Sequence, residues 1–167
     1  VELSELRPWI VYIHIAAAFA FVLSHGVSVW VAFAIRANPE PGRVRTLLDL
    51  SGSSLMAVYI SLLVILVAGI VAALQAQHFG QGWTWAAIVI VVLIVGAMYG
   101  LGSSHYGRVR NAVGVRSYQD KPDAPDPTPP PADELATLVA NRRPELLAAI
   151  GGIGLLVRLW LMRFRPF

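Results

Sequence analysis

Four histidines are the side chains best placed to do chemistry in this 167-residue, largely apolar chain. His14 and His25 fall within the first long apolar run, His105 closes the third, and His78 lies in the short connection between the second and third. Ionisable groups at membrane depth are costly and are rarely kept without a purpose. The eleven residues from His14 to His25 amount to nearly three helical turns, or about 20° of rotation and ~16.5 Å of rise. Both rings then share a face with Ala18, Phe21 and Ser28. Two levels follow, His14 with His78 at one end and His25 with His105 at the other. Facing imidazoles suit a b-type haem or a pigment, with hydroxyls such as Ser24, Ser28, Ser103 and Ser104 to orient the inner pair. His25, His105 and His14 are therefore the candidate cofactor ligands. The competing account of His25 is a neutral imidazole hydrogen-bonded between helices, or a metal or proton path. For His14 and His105 it is an ordinary interfacial position, and for His78 a solvated loop.

Other chemistry has less to stand on. The chain has no cysteine, which excludes disulfides, thiolate metal sites, iron–sulfur clusters and covalently attached haem. Met98 precedes His105 by seven residues on one face, and Met56 opens the second apolar run. That pairing would suit copper, but methionine more often fills gaps, and no metal ligand set is expected. Ser51-Gly52-Ser53-Ser54 lacks the lysine of a phosphate loop. No nucleophile–base pair, zinc motif or intramembrane carboxylate dyad occurs, so the chain reads as non-catalytic.

The elements that must position these residues are membrane spans. Hydrophobic residues make up 56% and charged ones 14%, against about 25% charged in soluble domains. Trp9 to Ile35 and Leu55 to Ala76 contain no formal charge, nor does Trp83 to Ser104, whose span is taken to His105. Each reaches the ~20 apolar residues that a crossing helix needs. The fourth, Glu145 to Arg163, is shorter and interrupted by Arg158. Strands are excluded by the lack of alternation and by the open edge they would present to lipid. The expected fold is all-α, a transmembrane four-helix bundle forming one domain over residues 1–167, with a short interfacial helix in the cytoplasmic loop. A retained signal peptide is not expected: Glu2 and Glu5 oppose Arg7 ahead of the first run, and that run exceeds a signal h-region.

Arginines and lysines near the span ends set the orientation. Arg36, Arg43 and Arg45 fall between spans one and two, and Arg108, Arg110, Arg116, Lys121, Arg142 and Arg143 between three and four. The opposite side has Arg7, Arg163 and Arg165, joined by Arg158. Both termini are expected outside a bacterial inner membrane. Trp9, Tyr12, Trp83, Trp85 and Trp160 would line the outer interface, and Trp30 and Tyr106 the inner. Residues 120–131 are proline-rich and read as a stiff spacer with no core of its own. Ala132 to Arg143 reads as a short helix, acidic first and basic last to suit its dipole. Its Leu135, Leu138 and Val139 face should rest on the membrane or on a neighbour. Asp49 is expected to pair with Arg43 or Arg45. Arg158 should point outward to lipid phosphate or to Glu2 or Glu5, the alternative being a clamp for a cofactor carboxylate.

Small residues mark close helix contacts in lipid. Gly96, Gly100 and Ser104 recur every four residues, as do Gly69 with Ala73 and Ala148 with Gly152. Packing within the bundle is the first account of these faces, and packing on another subunit the second. Three sets of residues also carry a family likeness: Ser24-His25-Gly26-Val27-Ser28, Arg45-Thr46-Leu47-Leu48-Asp49-Leu50-Ser51, and Ala97-Met98-Tyr99. With the ending Leu159-Trp160-Leu161-Met162-Arg163-Phe164-Arg165-Pro166, the chain resembles an uncharacterised family of bacterial four-span integral membrane proteins, a domain of unknown function. That family is distantly similar to the copper-resistance D membrane domain. The resemblance implies the four-span architecture, and its copper branch implies metal handling. Three functions remain open: an accessory or structural subunit of a larger membrane complex, a small haem- or pigment-binding electron-transfer protein, and a metal or small-solute permease. The expected partners are lipid and other membrane subunits, or a second copy joined through the small-residue faces; nucleic acid is not among them.

Overall fold

The computed structural model describes residues 5–167. The backbone of the apolar runs has no water to bond to at membrane depth, so it satisfies itself as helix. Four helices are long and apolar enough to cross a membrane, and the chain is an all-α, multi-pass membrane protein.

Helix α1 (Arg7–Ala37) starts with Pro8 in its first turn, where a missing amide hydrogen costs nothing. It stops at Asn38, because Pro39 forces the residue before it out of the helical region. Helix α2 (Pro41–Gln75) follows at once. The Glu40 carboxylate accepts from the Gly42 and Arg43 amides at 2.9 and 2.7 Å, and those two bonds hold it below the usual carboxylate range. A single 3₁₀ turn (His78–Gly80) leads into α3 (Gly82–Met98). The helix widens into one π turn (Tyr99–Ser103) and continues as α4 (Ser104–Ala112). Then come α5 (Ala132–Val139) and α6 (Arg143–Phe164).

The helices pair two by two. Most of the packing joins α1 to α2 and α3 to α6, and a narrower α1–α6 contact links the pairs. Along α6, Gly154 lies directly against Ile94 and Gly151 against the Met98 methyl. Met98 is thus a gap-filler between helices, and Met56 is exposed.

Helices α1, α2 and α3–α4 outlast the spans read from hydropathy, which changes where the core lies. At 1.5 Å per residue, α2 runs about 52 Å, well beyond a ~30 Å hydrocarbon layer. The excess stands at the loop end. There Val31 and Ile35 of α1, Val44, Leu47 and Leu48 of α2, Val109 and Ala112 of α4, and Leu135 and Val139 of α5 form the principal buried cluster. Most large side chains along the spans face outward, as lipid permits. Helix α5 therefore rests on its neighbours rather than on the membrane. An ion pair between Arg36 and Glu145 ties the end of α1 to the start of α6.

Three expectations for the loop need correction. First, α5 ends at Val139, so Arg142 and Arg143 do not close it; they begin α6. Asn141 makes the break, donating to the Leu138 carbonyl at 2.8 Å and accepting from the Arg143 amide at 2.9 Å. Second, the proline segment is not a free spacer. Prolines offer carbonyls and no donors, and Arg116 supplies donors. Its guanidinium bonds Asp126 at 3.0 Å and the Pro122 carbonyl at 2.9 Å, and also reaches the Ala124 carbonyl. Gly114, at φ +73°, brings the backbone close to Pro129 where a Cβ would crowd it. Third, Asp49 faces Arg110 of α4 at 4.0 Å, since α4 runs alongside the start of α2. Among the aromatics, Trp83 is buried with Ala87 and Leu161.

Candidate functional site

The polar groups gather in two places, one at each end of the bundle. At the loop end His105 sits in the first turn of α4, 4% exposed. Its Nε2 lies 3.2 Å from the Asn141 amide nitrogen. An amide NH₂ can only donate, so Nε2 accepts and the ring hydrogen is on Nδ1. The ring meets Tyr106 edge-on at 5.0 Å. Arg143 donates to the Leu101 carbonyl at 2.6 Å, meeting an acceptor inside the π turn, where the regular ladder is interrupted. Asn141 and Arg143 thus key the α5–α6 reversal onto the His105 end of α3–α4. The sequence read His105 as a candidate ligand and gave no signal for Asn141.

His25 is not brought to His105. Its ring is half-buried and stacks on Phe21, one turn back on the same helix, at 5.4 Å and 11°. Helical side chains slope toward the N-terminus, so a residue four positions earlier is the nearest platform. Two of the four hydroxyls expected to orient an inner pair are engaged elsewhere. Ser28 bonds Ser51 at 2.9 Å across α1 and α2, and Ser103 accepts from Gln119 at 2.9 Å. A bis-imidazole haem would need a free nitrogen on both rings, and at His105 it would first have to displace Asn141.

At the termini end His14 bonds the Ile65 carbonyl through Nδ1 at 2.9 Å. A carbonyl only accepts, so Nδ1 carries the hydrogen and Nε2 keeps its lone pair. Gly69 makes room: a Cβ there would lie 3.0 Å from the imidazole Cε1. His14 is thus a hydrogen-bonded link between α1 and α2. No hydrogen bond or ring contact joins it to His78, whose ring meets Trp83 at 5.1 Å within the short connection between α2 and α3. Burial, then the charges of Arg165 and Arg7, push the His78 imidazole below its ordinary value, with a Gln81 hydrogen bond opposing them. The chain end closes over this corner: the Phe167 carbonyl accepts from the Trp83 amide at 3.1 Å, and Arg165 lies 5.6 Å over the Trp83 ring.

Comparison with protein-family models, with curated proteins and with solved structures returns no match. The chemistry is therefore read from the groups themselves. Among the described residues no three His, Asp or Glu side chains gather as a metal-ligand set. The serine and threonine hydroxyls of the spans donate to carbonyls, as Ser61 does to Ala57 and Thr84 to His78, or pair with each other. None of these bonds, among the described residues, goes to an imidazole or a carboxylate base. The arrangement can hold helices in register, bind and orient; it does not assemble a nucleophile.

Gly69, Gly151 and Gly154 have close neighbours within the chain, but nothing lies within 4 Å of a Cβ built at Gly96, Gly100 or Gly152. Val89 and Val92 precede these glycines on the same face of α3 and are exposed. The first account of the α3 stripe, packing within the bundle, is thus not met: α6 lies against the Ile94–Met98 side instead.

Proposed function

We propose that this protein is a non-catalytic subunit of a larger membrane complex, holding a partner helix against the open Gly96–Gly100 face of α3. The observation that carries the reading is the vacancy at both glycines of that face, whereas Gly69, Gly151 and Gly154 serve internal contacts. Glycines every four residues let two backbones approach closely, which is how helices associate where the solvent is lipid. The four-span family resemblance agrees with an accessory role and assigns no activity.

The test uses the full chain purified from its own membrane in mild detergent. Gly96→Leu with Gly100→Leu should release the partner that co-purifies with the wild type and leave the helix content unchanged. Gly26→Leu and Gly152→Leu, at open glycines elsewhere, should retain it. Retention in all variants would overturn the reading. So would a Soret band in the purified protein that disappears on replacing His25, because that outcome makes it an electron carrier.

The same proposal places the protein in a bacterial inner membrane with both termini outside and the α5 end in the cytoplasm. The excess of arginine and lysine at the loop end supports this. Because the chain has no cysteine, single-cysteine labelling is clean. A cysteine at Gly80, where nothing crowds a Cβ, should react with an impermeant maleimide applied outside. One at the exposed Asp123 should react only after lysis. The reverse pattern would invert the topology.

A further inference from the structure

Arg158 of α6 is only partly exposed. Four residues before it, Gly154 meets Ile94 of α3, and three residues after it, Leu161 is buried against Trp83 and Ala87. Residues at these spacings share a helix face, so the arginine stands on the inward side of α6. It lies fifteen residues from Arg143, or about 22 Å along the helix. Its Nε is sealed from solvent and has no hydrogen-bond partner. No ion pair or hydrogen bond to its guanidinium occurs among the described residues. Glu5 makes no contact with it, and Glu2 lies outside the described residues. Guanidinium cannot escape by losing its proton, and an unpaired charge at this depth is strongly unfavourable.

A fixed cation with a planar fork of five donors and, among the described residues, no acid paired with it is a half-built pair. The missing half is an anion. We propose that Arg158 forms an intramembrane binding site for an oxyanion, the phosphate or carboxylate of a membrane amphiphile or a free anion of the same chemistry. The fork matches such oxygens two at a time. This site is separate from the α3 face and does not depend on a partner helix.

The experiment uses the full chain in nanodiscs of phosphatidylcholine doped with phosphatidylglycerol, with retained anionic lipid counted by native mass spectrometry. Inorganic phosphate is titrated separately while thermal unfolding is followed. The wild type should retain phosphatidylglycerol about tenfold or more over Arg158→Leu, as loss of a charge-assisted pair requires, and Arg158→Lys should fall between. If inorganic phosphate instead raises the unfolding temperature of the wild type and not of Arg158→Leu, the site stands and its ligand is a free anion. Arg158→Gln replaces the leucine variant should that one lose its helix content. The proposal fails if neither ligand separates wild type from the neutral variant. It also fails if Glu2→Gln with Glu5→Gln binds either ligand about tenfold more tightly than wild type, since the guanidinium would then be half of an internal ion pair.

Discussion

Truncating Leu135 to alanine should lower the unfolding free energy by about 2–4 kcal/mol, as much as any single apolar truncation in the spans or more. Leu135 is 1% exposed at the centre of the loop-end cluster. The cluster members from α2, α4 and α5 lie outside the uncharged apolar runs, where water is the alternative to burial and the hydrophobic effect acts at full strength. A leucine of similar size inside the bilayer gains almost nothing by leaving lipid for protein. Leu156, 67% exposed on α6, is the matched control, and its alanine variant should stay within about 0.5 kcal/mol of wild type. Denaturant unfolding in one detergent, followed by tryptophan fluorescence, measures both. Equal losses would show that the cluster has no special place in stability.

The second large effect is expected at Gly154. A Cβ built there lies 2.2 Å from the Ile94 Cδ1 and 2.9 Å from its Cγ1, closer than carbon atoms can approach. Leucine at this position must drive α6 away from α3, at about 3 kcal/mol if only side chains and local backbone yield. Gly152, two residues earlier, has open space around it and should accept leucine almost silently. The diagnostic variant is Gly154→Leu with Ile94→Ala, which removes the obstructing side chain and should recover most of the loss, a coupling that independent sites do not show. Failure of that rescue would place the damage elsewhere than the α3–α6 contact.

The number and kind of elements were legible because lipid imposes a strict rule: about twenty uncharged residues with self-satisfied backbone. Pro8, Pro41 and Pro144 stand in the first turns of three helices for equally local reasons. What hydropathy could not report was the length of helix beyond the spans. Val44, Leu47 and Leu48 lie among charges that hide their common face, and their burial depends on α5, ninety residues away along the chain. The histidines show the same limit. Spacing placed His14 and His25 on one helix with confidence, but their partners, the Ile65 carbonyl and the Phe21 ring, were decided by packing and side-chain slope. Asn141 was invisible, since an asparagine beside two arginines reads as solvated loop until the reversal folds it onto His105. Arg158 was read by depth alone; its direction around the helix axis is set by Gly154 and Leu161, residues that carry no charge signal.

The pairing of α1 with α2 and of α3 with α6 has a consequence for synthesis. The first pair is complete once residue 75 has emerged, so that hairpin can settle in the bilayer while the ribosome is still working. Helix α3 has no such neighbour. It must wait in lipid, with its glycines bare, through the whole of the 113–142 segment before the chain supplies α6. Throughout that interval both sides of α3 are open to any helix nearby. The order of manufacture therefore gives an outside partner its earliest access to the open face of α3.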